Sequence, residues 1–187
     1  MAYKDTGVGD KRGNAGFAAR MSHVSDWKEP DVIEPSKVRT CLWFDGNGVE
    51  AARLYVSLLP GSKIDNPASL DAAKPPMTVH FTLAGTPYMI LNGGPQYRPS
   101  EAASIFVTTD DQAETDRLWD ALAGNGGKPG RCGWLKDRYD VSWQIVPRRL
   151  PELLSGSRPE IAGRVMHAMM QMGKIDIAAL EAAANTD

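Results

Sequence analysis

The chain has 187 residues, enough for one domain or for two small modules sharing a core. Its 42% hydrophobic and 24% charged content is ordinary for a globular domain, and a net charge of -2 leaves no electrostatic footprint for nucleic acid or an acidic membrane surface. Cys41 and Cys132 neither form a close pair nor accompany a histidine cluster, no apolar run approaches the ~20 residues of a spanning helix, and the start of the chain lacks an apolar signal core. Reduced thiols and a cytoplasmic location are therefore expected.

Residues 1–37 read as an N-terminal extension, partly disordered, with Gly7, Gly9, Gly13 and Gly16 among charges of both signs. Within it Phe17, Met21, Val24 and Trp27 fall at helical spacing, either a docking stripe or scattered apolar residues in a tail. A first module, about 38–95, follows as strand 38–44, helix 48–59, and strands near 63–70, 77–83 and 87–92, with Gly85 at the last turn. A second, about 102–147, repeats the order as strand 104–109, helix 112–122, a Gly-rich loop 124–130, two short segments and strand 141–146. Residues 148–187 form a helical extension. In it Ser157 and Glu160 read as a capping box, Ile161, Val165, Met169 and Met172 as a stripe, and residues 176–184 as a last helix.

The two modules are related in sequence. Asn47, Glu50, Arg53, Leu54 and Tyr55 recur sixty-four positions later as Asp111, Glu114, Arg117, Leu118 and Trp119. A cap residue followed three positions on by Glu is a capping box, so both copies predict a helix start directly after a strand. The fold expected is α+β: two βαβββ modules in a curved eight-stranded sheet around a cavity, with C-terminal helices.

The segment Cys41-Leu42-Trp43-Phe44-Asp45-Gly46 with Glu50, Ala51, Ala52 and Tyr55, the run Leu91-Asn92-Gly93-Gly94-Pro95, and residues 132–139 and 142–147 resemble the PhnB-like branch of the vicinal oxygen chelate (glyoxalase/bleomycin-resistance) superfamily. The helical tail ending in residues 172–181 resembles it too. The resemblance implies paired modules around a U-shaped cavity and a homodimer. Members of this branch are often labelled as similar to a demethylubiquinone methyltransferase. A nucleotide-type cofactor would call for a Gly-rich loop after the first strand, whereas here the Gly cluster 124–130 follows a helix.

Enzymes of the superfamily hold a divalent cation through one side chain on the first and last strand of each module. The resemblance places Thr40, Asn92, Ser104 and Gln144 at those positions. None is His, Asp, Glu or Cys, and neutral oxygens do not offset the dehydration of a divalent ion, so no metal and no cofactor is expected. Strand alternation puts Thr78, His80 and Thr82 on one face, with Val79, Phe81 and Leu83 against a helix; Ser142 and Gln144 project opposite to Trp143. The ligand-binding candidates are thus Thr40, Thr78, Thr82, Asn92, Ser104, Ser142 and Gln144, and His80 is the candidate acid or base. Asp110 with Asp111 reads as a helix cap, and Lys136, Asp137 and Arg138 as a charged turn.

The function expected is a homodimeric protein that binds a small organic molecule in its cavity without metal, and no nucleic acid or membrane. One alternative is a metal-independent or metal-dependent enzyme of the superfamily, of lyase, isomerase or transferase type, using His80 as acid or base. Another is a structural dimer recruiting a protein partner through its Met-rich C-terminal helices.

Overall fold

In a computed structural model of the chain, residues 37–66, 75–156 and 158–186 are described, all within the single unit Lys37–Asp187. The stripe at Phe17, Met21, Val24 and Trp27, the later part of the strand expected near 63–70, and Ser157 lie outside them.

The first module runs β1 (Thr40–Phe44), α1 (Gly48–Leu58), β2 (Lys63–Ile64), β3 (Thr78–Leu83) and β4 (Thr86–Asn92). The second runs β5 (Ile105–Thr109), α2 (Gln112–Ala123), β6 (Lys128–Pro129), β7 (Trp134–Lys136) and β8 (Ser142–Pro147). Each makes a four-stranded sheet with one topology, β1-β4-β3-β2 and β5-β8-β7-β6, in which the first strand lies parallel to the last and the remaining pairs are antiparallel. The sequence repeat is therefore a structural repeat, carried by two separate four-stranded sheets.

Local chemistry explains the turns and helix starts. β3 and β4 are joined by Ala84 and Gly85, both at positive φ (46° and 84°), the mirror-image two-residue turn that matches strand twist. At α2 half of the expected box forms: Asp111 Oδ1 accepts from the Glu114 amide at 2.8 Å, whereas Glu114 Oε2 accepts from the Asp110 amide, one residue before the cap, also at 2.8 Å. At α1 it does not. Asn47 makes no side-chain cap, and the free Gly48 amide donates instead to Asn92 Oδ1 at 3.0 Å, from the end of β4. A Cβ at Gly48 would run into Ile90 and Asn92, so Gly is the residue that lets the strand cap the helix.

The helices cover one face of each sheet. Val79, Phe81 and Ile90 are fully buried beneath α1, whose Ala51, Ala52 and Tyr55 face them; Trp143 and Ile145 are buried beneath α2 with Leu118 and Leu122. Tyr55 joins the two halves, its ring edge-on to Trp143 with centroids 5.1 Å apart. At the same junction Asp137, 1% exposed, accepts from the Tyr55 hydroxyl at 2.7 Å, Trp143 Nε1 at 3.0 Å, and the Tyr139 and Val141 amides at 2.8 and 3.0 Å. Asp137 is thus no part of a charged surface turn: four donors make a buried carboxylate tolerable in the core.

The extension contributes α3 (Arg149–Ser155), α4 (Pro159–Met170) and α5 (Ile177–Asn185). The stripe at Ile161, Val165, Met169 and Met172 is used inside the chain, packed with Val146, Leu150, Leu153, Ile175 and Leu180 in a second core. Pro151 lies in the first turn of α3, where its missing N–H costs nothing. Gln112 ties the extension to α2, donating to the Ile175 carbonyl and accepting from the Ile177 amide. Among the described residues no helix is long and apolar enough to cross a membrane.

Candidate functional site

A cleft of about 270 Å³ opens where the first module meets the linker and the second sheet. Residues 40–43 of β1 and Tyr88 of β4 form one wall; Val141, Ser142 and Ile105 form another. The linker between the modules closes it with Arg98, Pro99, Ser100, Ala103 and Ser104. Most of the lining is apolar, from Leu42, Trp43, Tyr88, Ile105 and Val141, and burial holds the Tyr88 phenol above its ordinary pKa, so it stays neutral.

The run Asn92-Gly93-Gly94 builds the entrance of that linker. Gly93 leaves room for the Trp43 ring, which any Cβ there would strike, and Gly94, at φ 90°, presents its carbonyl to Trp43 Nε1 at 2.7 Å. Tyr97 then packs edge-on against Trp43 at 4.9 Å. Further along, Glu101 meets Lys136 Nζ at 2.8 Å, a contact that holds the Glu101 carboxyl below its ordinary pKa and pins the linker to β7.

Of the candidate residues, the structure brings Thr40, Ser104 and Ser142 to the cleft. Gln144 joins them at one remove, its Nε2 donating to Ser104 Oγ at 2.8 Å. Ser142 is 1% exposed and its Oγ has no hydrogen-bond partner in the fold. A buried hydroxyl without a partner carries an uncompensated desolvation cost.

The other candidates are placed elsewhere. Asn92 faces α1: its Oδ1 is taken by the Gly48 amide and its Nδ2 by the Pro76 carbonyl at 2.8 Å. Thr78, His80 and Thr82 do share the face opposite Val79, Phe81 and Leu83. On that face His80 is in register with Met89, and Met89 with Cys41 at the cleft, so β4 separates His80 from it by roughly two strand spacings, ~10 Å. Thr82 Oγ1 meets the Asp65 carboxylate at 3.1 Å. Sequence reasoning missed Arg98, Tyr88 and Trp43 as lining residues, because the linker carries no periodicity and its place depends on the Trp43 contacts.

The four positions that the superfamily uses for metal do not fit a divalent ion. They supply no anion or imidazole, and the Asn92 amide is spent on backbone. Among the described residues there is no group of three or more His, Cys, Asp or Glu arranged to hold a metal.

The chain is similar to several solved structures. A PhnB protein from Bacillus cereus is 29% identical with a TM-score of 0.53, over 60% of this chain and 99% of that one. A protein from Pseudomonas aeruginosa is 26% identical, covering 60% and 97% of the two chains, with a TM-score of 0.48. A fosfomycin resistance protein from Listeria monocytogenes, solved with Mn(II) and sulfate, is 11% identical over 62% and 91% of the two chains, with a TM-score of 0.42. No curated protein matches. The family model described as 3-demethylubiquinone-9 3-methyltransferase matches residues 36–146, more than half of the sequence. With its duplicated βαβββ module, the chain belongs to that family, the PhnB-like branch of the vicinal oxygen chelate superfamily.

Proposed function

We propose that this protein binds a small organic molecule, without metal, in the cleft between its modules. The observation that carries the reading is the Ser142 hydroxyl, buried and unpartnered at the wall of a mainly apolar cleft. Binding sites of this kind combine an apolar lining with a few polar groups that fix orientation. Ser104, oriented by Gln144, and Thr40 supply the rest. His80, behind β4, has no part in it.

Homodimerisation belongs to the same proposal. The sheet faces away from the helices carry Phe106, 56% exposed, on β5, and half-buried Trp43, Met89 and Leu91 on β1 and β4, apolar surface that a second copy would cover.

The test is a fragment titration followed by amide NMR. Fragments of about nine to twelve non-hydrogen atoms should shift the resonances of Thr40, Ser104, Ile105 and Ser142 together, with or without chelator. Shifts confined to the His80 face would overturn the assignment.

A further inference from the structure

We infer that the cleft selects a small monocarboxylate with an aromatic or branched aliphatic body, and that Arg98 supplies its counter-charge. This rests on the cleft being the binding site and adds the chemistry of its ligand.

The lining contains one cation, Arg98, and no Asp, Glu or His. Among the described residues Arg98, like the exposed Arg53 and Arg158, makes no ion pair, so no carboxylate of the fold competes for its guanidinium. The acid nearest in the linker, Glu101, is taken by Lys136.

The hydroxyls are set as donors. Ser104 Oγ accepts from Gln144, and Ser100 Oγ accepts from the Ala102 amide at 3.4 Å, so each keeps its own hydrogen to give. Ser142 Oγ gives to nothing in the fold. A wall of one guanidinium and the Ser100 and Ser104 O–H groups, with the unpartnered Ser142 hydroxyl buried behind it, is complementary to oxygen lone pairs carrying negative charge.

Charge count and shape narrow the class. One guanidinium compensates one negative charge, and a second charge taken from water into this lining would be unpaired. The planar two-oxygen end of a carboxylate matches the guanidinium fork. Size agrees: an apolar cavity of about 150 Å³ holds benzene, so a cleft of about 270 Å³ takes a benzoate-sized acid with room for a few more atoms.

The experiment compares benzoate and phenylacetate with their neutral primary amides, by calorimetry and amide NMR on the full chain. The acids should bind at least about 10-fold more tightly than the amides, the scale of a charge-assisted hydrogen bond. Arg98→Gln, an exposed position, should abolish that preference. Arg138→Gln, which changes a cation beside the cleft but outside its lining, should leave it intact. Ser142→Ala should weaken acid binding about 5-fold while raising the melting temperature of the free protein, because an unpartnered hydroxyl is removed. Equal binding of acid and amide at the cleft overturns the carboxylate class and leaves the cleft standing; an acid preference that survives Arg98→Gln removes Arg98 from the proposal. If neither acids nor amides shift Thr40, Ser104 or Ser142 at millimolar concentration, the cleft assignment and this inference both fall.

Discussion

The Tyr55 hydroxyl donates a 2.7 Å hydrogen bond to the Asp137 carboxylate, and this contact links the helix of the first module to the core of the second. Eighty-two positions separate the two residues in sequence. Asp137→Asn places an amide N–H or removes an acceptor where Tyr55, Trp143 and two backbone amides all donate. The expected cost is about 3 kcal/mol, the scale of leaving buried partners unmatched. Denaturant unfolding should record it as a lowered midpoint; a loss under 1 kcal/mol would mean the four bonds are not made in solution.

Tyr55 also predicts a response to alkali. Burial, with Asp137 beside it, raises the Tyr55 phenol well above its ordinary value. An acid whose folded pKa exceeds its unfolded value keeps its full contribution below the unfolded pKa, ~10. That contribution is lost as pH rises from there through the folded pKa, because only the unfolded chain releases the proton. Wild-type stability should therefore fall above about pH 10, and Tyr55→Phe should flatten that fall while lowering stability near pH 7 by ~1 kcal/mol. Parallel pH profiles for the two proteins would contradict it.

Helix α1 distinguishes a sequence-local cap from a tertiary one. Asn92→Ala should cost about 1–2 kcal/mol, the loss of a helix cap and of the bond to Pro76. Asn47→Ala should be nearly neutral, within ~0.5 kcal/mol, since its side chain caps nothing. Thermal melts of the two variants decide the point, and the reverse ranking would restore Asn47 as the cap.

The β3–β4 turn is open to improvement. Ala84 occupies positive φ, where Asn is tolerated more easily than Ala, and Asn-Gly is a preferred pair for this turn. Ala84→Asn should stabilise by about 0.5 kcal/mol, visible as a higher melting temperature.

Metal content is a direct check on the donor chemistry. Protein purified and then exposed to excess Mn(II) or Zn(II) should retain no stoichiometric ion after gel filtration, because Thr40, Asn92, Ser104 and Gln144 offer neutral oxygens only. One ion per chain by elemental analysis would show that another ligand set forms.

Much of the architecture was legible in the chain because it is written in local signals. The helix cap at Asp111 and Glu114, the alternation of Thr78 to Leu83, the turn at Gly85 and the repeat of Glu, Arg, Leu and an aromatic behind each helix start all act within a few residues. What the tertiary structure decided involves partners far apart in sequence. Asn92, read as facing a cavity, was drawn to the Gly48 amide because a helix end brought next to a strand end needs an acceptor. Asp137 reads as surface charge until Tyr55 and Trp143 are folded around it. The surface on which the methionine stripe packs is set only when α5 and β8 fold against it. The cleft itself is made by a linker without periodicity, set in place by Trp43 and by the Glu101–Lys136 contact, so Arg98 joins Ser142 only once both modules have packed.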